Sequence, residues 1–317
     1  MAEKIYRKNI CPLCKKGGVF LFKTRDKFHN LPGIFHVFRC PDCLIEYVEA
    51  PKNLADFYVD NYFKDEVIEN NSLFKLKKKI IKGTFRRKGM LRRRLNIFLS
   101  SFIAALPRQK GKIMDIGCGS GDILYLLKGA GFDVYGIDIS QYAVGLAHKH
   151  GLNKVTCGME DKLKDYQDDY FDCIRGSHVL EHMVDPMNFI ALSHKKLKDG
   201  GVLLLQTPNT NSLGKLFGKH AKFYRDIPRH LILFSNKSLK LALAQAGFKK
   251  IKMEYRCAFS DFRDNLFYFL EDAGGASRFG LRKKLRDNLL TNFLFLPIDL
   301  IVGVFGKGQT LTVIAEK

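Results

Sequence analysis

A glycine-rich segment is the clearest candidate for chemistry in this 317-residue chain. The segment reads Asp115-Ile116-Gly117-Cys118-Gly119-Ser120-Gly121. It follows an apolar, strand-like run and precedes apolar residues at helical spacing. Glycines at 117, 119 and 121 permit positive φ angles and a close approach of the backbone to a ligand, and the start of the next helix offers free N–H groups. The pattern predicts a strand, a ligand-binding loop and a helix.

The residues around this loop indicate which kind of nucleotide it binds. A dinucleotide fingerprint requires glycine at 122, but Asp122 stands there, where a helix N-terminus would otherwise bind a pyrophosphate. A Walker loop is excluded because no Gly-Lys-Ser/Thr follows the glycines. Asp138 ends the second strand-like run, 17 residues after Gly121, where a carboxylate can accept both hydrogen bonds of a ribose diol. Together these features predict an adenosine site without a diphosphate.

These residues resemble the class I S-adenosylmethionine-dependent methyltransferases, whose motif is Asp/Glu-x-Gly-x-Gly-x-Gly with an acidic residue closing the second strand. Further landmarks follow in family order: Phe171 to Ile174, His178 to His182, Asp185-Pro186 and Leu197 to Leu204. Residues 228–235 and 238–247 resemble the ubiquinone-biosynthesis O-methyltransferase-like branch, in which an N-terminal zinc ribbon is a familiar arrangement. The resemblance covers about residues 100–257 and 308–316.

The resemblance implies an α/β fold: a Rossmann-like, seven-stranded class I methyltransferase sheet with an N-terminal zinc ribbon and helical insertions. The last strand would be antiparallel and would contain Thr310 to Ala315. It also implies an enzyme that uses S-adenosylmethionine as its methyl donor.

The same resemblance implies roles for individual residues. The three loop glycines would line the methionine part of the cofactor, Asp115 would lie near its amino group, and Asp138 would hold the ribose. Met159 and Glu160 fall where the family encloses adenine. The implied cofactor-binding set is Asp115, Gly117, Cys118, Gly119, Gly121, Asp138, Ile139, Met159, Glu160 and Ser177.

Three histidines are candidate general bases: His178, His182 and His230. Neutral histidine accepts a proton near pH 7, and all three fall in loops at the carboxyl side of the predicted sheet. His182 has the alternative of hydrogen bonding to the backbone, and His230 that of bracing a lid. Some ubiquinone-type relatives bind a divalent metal through a Glu-x-x-Glu-His motif. This chain departs from that motif, because it has His178 where the first glutamate would stand, followed by Glu181 and His182.

Two Cys-x-x-Cys units lie near the N-terminus, and 25 residues separate them. Their cysteines are Cys11, Cys14, Cys40 and Cys43. Two such units match a tetrahedral zinc site, whereas a thioredoxin-like redox function needs one unit beside a βαβ pattern. The predicted metal is a structural Zn²⁺. One interpretation is that the ribbon recognises nucleic acid or a protein partner. The other, which we favour, is that it is a small domain whose fold is held together by its metal.

The chain carries 53 Lys+Arg against 32 Asp+Glu, a net charge of +21, which favours an anionic partner. Many of these cations lie in residues 52–100, among apolar residues at helical spacing. This basic helix could lie on anionic lipid, could pack against the catalytic domain with a solvated face, or could follow a phosphate backbone, and nucleic acid is the least favoured partner. Residues 292–305 are apolar but interrupted by Pro297 and Asp299, which favours an interfacial patch or a buried helix pair over a membrane span.

We therefore predict a zinc ribbon at residues 1–51, a basic helical linker at 52–100, and a methyltransferase domain at 101–317 with a helical insertion at 258–307. The N-terminus lacks an apolar signal segment, so a cytoplasmic location is expected, with a peripheral position at the inner face of the membrane as a hypothesis.

The predicted activity is O-methylation of a small-molecule, lipid-linked or glycan-linked acceptor. The alternative is an RNA or other nucleic-acid methyltransferase that uses the ribbon and the basic helix for binding. The Asn/Asp-Pro-Pro-Tyr motif of base-methylating enzymes is absent from the sequence.

Overall fold

A computed structural model describes residues 9–49, 51, 53–58, 110–256, 261–274, 294, 295, 297, 298, 301, 302 and 305–317. The predicted basic linker lies outside the described residues except for 53–58. Most of the predicted insertion at 258–307 also lies outside them, including Leu296 and Asp299. The same holds for Cys257.

The described residues form three successive strands, followed by strands that alternate with helical segments. The strands are β1 (Val19–Thr24), β2 (Phe35–Arg39), β3 (Glu46–Val48), β4 (Lys112–Ile116), β5 (Asp133–Asp138), β6 (Val155–Cys157), β7 (Phe171–Ser177), β8 (Leu197–Pro208), β9 (Ile232–Leu233), β10 (Lys250–Arg256) and β11 (Thr310–Glu316). The α-helices are α1 (Asp122–Gly129), α2 (Gln141–Lys149), α3 (Pro186–Lys196), α4 (Asn236–Gln245) and α5 (Asp261–Gly274). Short 3₁₀ segments are Leu54–Phe57, Glu160–Asp165, Leu180–His182, Leu213–His220 and Lys222–Tyr224.

The central sheet has seven strands in the order β10-β11-β8-β7-β4-β5-β6. Strands β6, β5, β4, β7 and β8 are parallel, whereas β11 runs antiparallel to both β8 and β10. Its central strands are buried in continuous runs, as expected when helices cover both faces of a parallel sheet. The predicted fold class is confirmed, including the antiparallel last strand that contains Thr310 to Ala315.

Side-chain caps fix where the helices after the strands begin. Ser140 Oγ accepts a hydrogen bond from the Ala143 N–H at the start of α2, and Asp185 caps α3 in the same way through Asn188 N–H. Such caps satisfy backbone donors that the first turn of a helix leaves without partners. They thereby hold the loops at the carboxyl ends of the parallel strands, where ligands bind in open α/β sheets.

A second, antiparallel sheet has the order β1-β2-β3-β9. Its first three strands belong to the cysteine-rich N-terminal segment, but β9 comes from the catalytic part of the chain and pairs Glu46 with Leu233 and Tyr47 with Ile232. A buried hydrogen bond of 2.5 Å from Tyr224 Oη to Glu46 Oε2 joins the same two parts. The N-terminal sheet is therefore completed by a strand that lies almost 200 residues later in the chain.

In the portion of the chain that the structure describes, none of the helices combines the length and the apolar character needed to cross a membrane.

Candidate active site

The glycine loop leaves β4 and turns directly into α1. Gly117, Gly119 and Gly121 all have positive φ angles, of 66°, 56° and 84°. A Cβ atom at 117 would lie 2.1 Å from Val179 Cγ1, and one at 121 would lie 2.3 Å from Leu152 Cδ1, so both positions require glycine for packing. At 119 no atom lies within 4 Å of such a Cβ, which makes this the open side of the loop.

Asp138, at the end of β5, connects the glycine loop to the next loop. Its Oδ2 accepts a hydrogen bond of 2.7 Å from Gly119 N–H, and its Oδ1 accepts one of 2.9 Å from Ser140 N–H. Because each carboxylate oxygen has more than one lone pair, the buried side chain retains capacity to accept from a ribose diol.

Exposed apolar side chains lie beside this carboxylate, where adenine is expected. Ile139 and Met159 are both exposed, and a backbone hydrogen bond of 2.9 Å from Gly158 N–H to Asp138 O holds their loops together. Glu160 begins the next 3₁₀ segment, and burial raises the pKa of its carboxyl. The structure thus brings the predicted adenosine-binding residues to one edge of the sheet.

Asp115 forms a buried ion pair with Arg175, its register partner on β7. Burial raises the pKa of Asp115 to about 6, with a further contribution from the charge of Asp138, although Arg175 opposes this effect. An acid whose pKa is raised on folding destabilises the folded state at neutral pH, which is typical of functional sites. Burial also raises the pKa of the Cys118 thiol, which keeps it protonated and unreactive.

His178 follows β7 and contacts a buried carboxylate. Its Nδ1 lies 3.1 Å from Glu181 Oε1, and the other carboxylate oxygen accepts a hydrogen bond of 3.0 Å from Thr207 Oγ1. The His178 side chain is 51% exposed whereas that of Glu181 is fully buried. Desolvation opposes the charge of each group, but their mutual attraction outweighs it: the pKa of Glu181 falls to about 2 and that of His178 rises above its usual value.

His182 and His230 lie face to edge, with ring centroids 4.8 Å apart. His182 Nδ1 lies 3.1 Å from Arg229 O, and His230 Nδ1 lies 2.9 Å from Phe223 O. Desolvation, together with the charge of His230, lowers the pKa of His182 to about 4, so this ring is neutral at physiological pH. Ligand atoms of Glu181, His182 and His230 lie within 4.8 Å of one another, a spacing that could hold a metal ion, and His178 is not part of that group.

Ser177 lies at the end of β7 in a polar row that crosses three strands. Its Oγ donates a hydrogen bond of 3.1 Å to Gln206 Oε1, and Gln206 Nε2 donates one of 2.9 Å to Thr312 Oγ1. Gln206, Thr207 and Arg175 were not among the predicted site residues. A signal for Arg175 was present, because a cation within an apolar strand requires a buried partner.

The four N-terminal cysteines come together in one cluster. Sγ–Sγ distances are 3.5 Å for Cys11 and Cys43 and 3.4 Å for Cys14 and Cys40, and all four atoms lie within 4.8 Å of one another. A disulfide requires about 2.05 Å. Tetrahedral zinc with bonds of about 2.3 Å places its thiolates about 3.8 Å apart.

The two cysteine turns also share one backbone geometry. Cys11 N–H donates to Lys16 O at 2.8 Å and Cys40 N–H donates to Ile45 O at 2.9 Å. In both turns the residue after the second cysteine adopts a left-handed conformation, with φ of 63° and 62°. The repeated turn directs the four thiols to a common point.

Comparison with known proteins agrees with the class that the fold and the glycine loop define, an S-adenosylmethionine-dependent methyltransferase. A family model described as a methyltransferase domain matches residues 88–253, more than half of the chain. The chain therefore belongs to this methyltransferase family, and the predicted enzyme class is confirmed.

Named relatives cover a smaller part of the chain. It is 34% identical over 121 residues to a ubiquinone biosynthesis O-methyltransferase of Methylococcus capsulatus, which is 36% of this chain and 51% of the relative. The corresponding enzyme of Idiomarina loihiensis is 30% identical over 112 residues, 34% of this chain and 46% of that protein. The chain thus matches about half the length of these curated relatives.

Solved structures resemble the chain over a longer span. A SAM-dependent methyltransferase from Archaeoglobus fulgidus is 22% identical, with a TM-score of 0.47, and the match covers 78% of this chain and 100% of that one. An S-adenosylmethionine-dependent methyltransferase from Mesorhizobium loti is 18% identical, with a TM-score of 0.45 and coverage of 68% and 96%.

The two ends of β5 offer a matched test of the cofactor site. We expect Asp138→Asn to weaken S-adenosylmethionine binding about tenfold to a hundredfold, because a hydrogen bond to a charged group contributes about 1.5–3 kcal/mol. Asp133→Asn, which alters an exposed carboxylate at the other end of the strand, should leave the affinity unchanged. Titration calorimetry measures both constants, and equal affinities for the two variants would contradict the assignment.

Proposed function

We propose that the protein transfers a methyl group from S-adenosylmethionine to an oxygen of a small-molecule, lipid-linked or glycan-linked acceptor, with His178 as the general base. The observation that carries this proposal is the pairing of a half-exposed histidine with a fully buried carboxylate at the carboxyl end of β7. This pair stands at the same edge of the sheet as the glycine loop and Asp138.

The described residues supply groups suited to each part of the cofactor. The open side of Gly119 would admit the methionine part, Asp138 would accept hydrogen bonds from the ribose, and Ile139 with Met159 would cover adenine. S-adenosylmethionine supplies an already activated methyl group. The protein's own task is then to orient the acceptor, exclude water and remove one proton from the acceptor hydroxyl.

Among the three candidate histidines, His178 has the arrangement that a base needs. An ionised carboxylate can only accept a hydrogen bond, so the Nδ1 of His178 carries the proton and its Nε2 presents a lone pair. Glu181 also stabilises the cation that forms when Nε2 takes up a proton. His182 and His230 also donate from Nδ1, to backbone carbonyl groups. However, desolvation lowers the pKa of His182 to about 4, and His230 Nε2 lies 3.5 Å from Asp226 Oδ2, which favours a bracing role for both.

The two named relatives are ubiquinone biosynthesis O-methyltransferases. Their names support oxygen as the atom that accepts the methyl group and a quinone-like compound as one class of acceptor. The nucleic-acid alternative has the net charge of +21 in its favour. Against it, the N-terminal sheet uses the edge of β3 to pair with β9 of the catalytic part, an internal structural role.

Replacement of His178 tests the general base. His178→Asn should lower kcat about 10²- to 10⁴-fold with little change in S-adenosylmethionine affinity, because only proton removal is lost. Transfer of labelled methyl groups into a bacterial membrane-lipid extract measures turnover.

Since Glu181 raises the pKa of His178 above 6.5, wild-type kcat should fall as the pH decreases through that raised value. His194→Asn, on α3 against Phe248, is the control, and an unchanged kcat in His178→Asn would exclude the base.

We also infer that Cys11, Cys14, Cys40 and Cys43 hold one structural Zn²⁺. The four thiols converge at nearly tetrahedral spacing from two turns of the same geometry, which supports a closed, non-catalytic site. The metal would hold the two cysteine turns together and add its binding free energy to the stability of this small sheet.

Elemental analysis provides the corresponding test, and we expect one zinc per chain in the wild-type protein. Cys40→Ser should lose the metal and lower the unfolding temperature, because the metal contributes its binding free energy to folding. Cys157→Ser, which alters a thiol outside the cluster, should retain it. A metal-free Cys40→Ser protein with the wild-type unfolding temperature would argue against a structural zinc.

An exposed apolar face supports access to the acceptor from a lipid surface. We define this face by Leu216, Phe269, Leu294, Ile301 and Phe305, which are all exposed, Leu216 by 77% and Phe305 by 75%. Ring contacts from Phe217 to Phe262 and Phe269, and from Phe262 to Phe295, place these segments together. Contiguous exposed apolar surface of this kind is typical of membrane or protein contacts.

The charges around the apolar face favour anionic lipid. Lys215, Lys219 and Lys307 are exposed at its border. On α5, by contrast, Asp264 is paired with Lys222 and Asp272 with Lys27. Each cation close to an anionic membrane surface contributes about 1 kcal/mol of attraction.

Vesicle flotation tests this part of the proposal. The wild-type protein should float with phosphatidylcholine vesicles that contain phosphatidylglycerol, and less so in high salt, because the attraction is partly electrostatic. Introducing charge into the apolar face with Leu216→Asp and Phe305→Asp together should abolish flotation. Val19→Asp on β1, also exposed, is the control. Absence of wild-type binding at moderate salt would rule out the membrane surface.

A further inference from the structure

A buried ion pair joins the N-terminal sheet region to the catalytic part of the chain. Asp26 follows β1, and Arg229 lies 203 residues later, just before β9. Both side chains are fully buried. The contact is bidentate: Arg229 Nη2 donates to Asp26 Oδ1 at 2.9 Å and Nη1 donates to Oδ2 at 3.2 Å.

The hairpin loop that follows β1 is built to hold this carboxylate. Asp26 also accepts hydrogen bonds from the backbone N–H groups of Phe28, His29 and Leu31, at 2.9, 3.1 and 3.3 Å. Burial opposes ionisation, but Arg229 and these donors keep the pKa of Asp26 below its usual value. The N-terminal segment therefore presents a fixed, ionised acceptor to the guanidinium.

Arg229 connects that acceptor to the candidate active site. Its Nε donates to Asp226 Oδ1 at 2.6 Å, and its Nη1 also donates to Phe57 O at 3.1 Å. At the other side of the residue, the Arg229 carbonyl accepts a hydrogen bond of 3.1 Å from His182 Nδ1. One residue thus contacts the N-terminal segment through its side chain and the histidine loop through its backbone.

A parallel backbone connection runs through Leu231. Its N–H donates to Glu181 O at 2.8 Å, while its carbonyl accepts from Val48 N–H at 2.9 Å. Leu231 therefore lies between β3 and the loop that carries His178 and Glu181. Displacement of the 226–231 segment would release both connections together.

We propose that Asp26 and Arg229 are positioning residues for methyl transfer. Their ion pair holds residues 226–231 against the 178–182 loop, so that the N-terminal sheet forms part of the acceptor side of the active site. The inference rests on the proposed role of His178. Loss of either charge would leave the other buried without its main partner, and lysine cannot reproduce the planar, bidentate contact of arginine.

Hydrogen exchange measured by mass spectrometry on the full chain tests the proposal without an acceptor. In Asp26→Asn and in Arg229→Lys, amides of residues 178–183 and 226–235 should exchange about tenfold faster, while those of β4 stay protected. Because both substitutions remove one interaction, the double variant should exchange no faster than either single variant. Asp42→Asn, an exposed carboxylate paired with Lys16 at 2.8 Å, should match the wild type.

Two further readouts separate positioning from general destabilisation. S-adenosylmethionine affinity should stay within about twofold of wild type because the glycine loop is untouched, while kcat in the lipid-extract assay should fall about tenfold. Asp26→Glu, which keeps the carboxylate, should recover part of the lost protection. Arg229→Lys serves as the test variant if Asp26→Asn does not fold.

Faster exchange confined to residues 25–34, or additive effects in the double variant, would overturn the proposal. Failure of the general-base assignment is recognised separately, because His178→Asn would then retain turnover while the exchange results still stand.

Discussion

The proposed acceptor side of the site depends on the buried carboxylate of Glu181. One oxygen holds His178 and the other accepts from Thr207, and the backbone carbonyl of the same residue holds Leu231. The ends of β7 and β8 and the segment before β9 therefore meet at a single residue. The stabilisation from its ionised form is present above pH 4.5 and is lost as the pH falls towards 2, since the pKa of Glu181 is about 2 in the folded protein.

Local patterns in the sequence predict the cofactor half of the candidate site. The glycines at 117, 119 and 121, the strand that precedes them and Asp138 lie close together in sequence. Periodicity and spacing therefore identify the strand, the loop and the carboxylate that we propose binds the cofactor. The family resemblance added the seven-stranded sheet, and the structure confirms it. The sequence could not predict which of the three histidines is best placed to act as a base, because the role of each ring depends on the partners that its nitrogens contact in the folded protein.

The other half of the site arises from contacts between distant parts of the chain. Arg175 finds Asp115 only once β4 and β7 are in register, and Asp26 reaches Arg229 across 203 residues. The pairing of β9 with β3 also joins distant parts of the chain. A strand of two residues is too short to be predicted from alternation of apolar and polar residues. These contacts bury charged groups in pairs, which makes the N-terminal sheet and the catalytic part interdependent in their packing.

A crystal structure of the protein with S-adenosylhomocysteine is the most direct test of the proposed cofactor site and its base. We predict the homocysteine portion against the open side of Gly119, the ribose hydroxyls on Asp138, and the sulfur on the side that faces His178 Nε2. A ligand bound away from the glycine loop, or a ribose without contact to Asp138 and a sulfur remote from His178, would contradict the assignment.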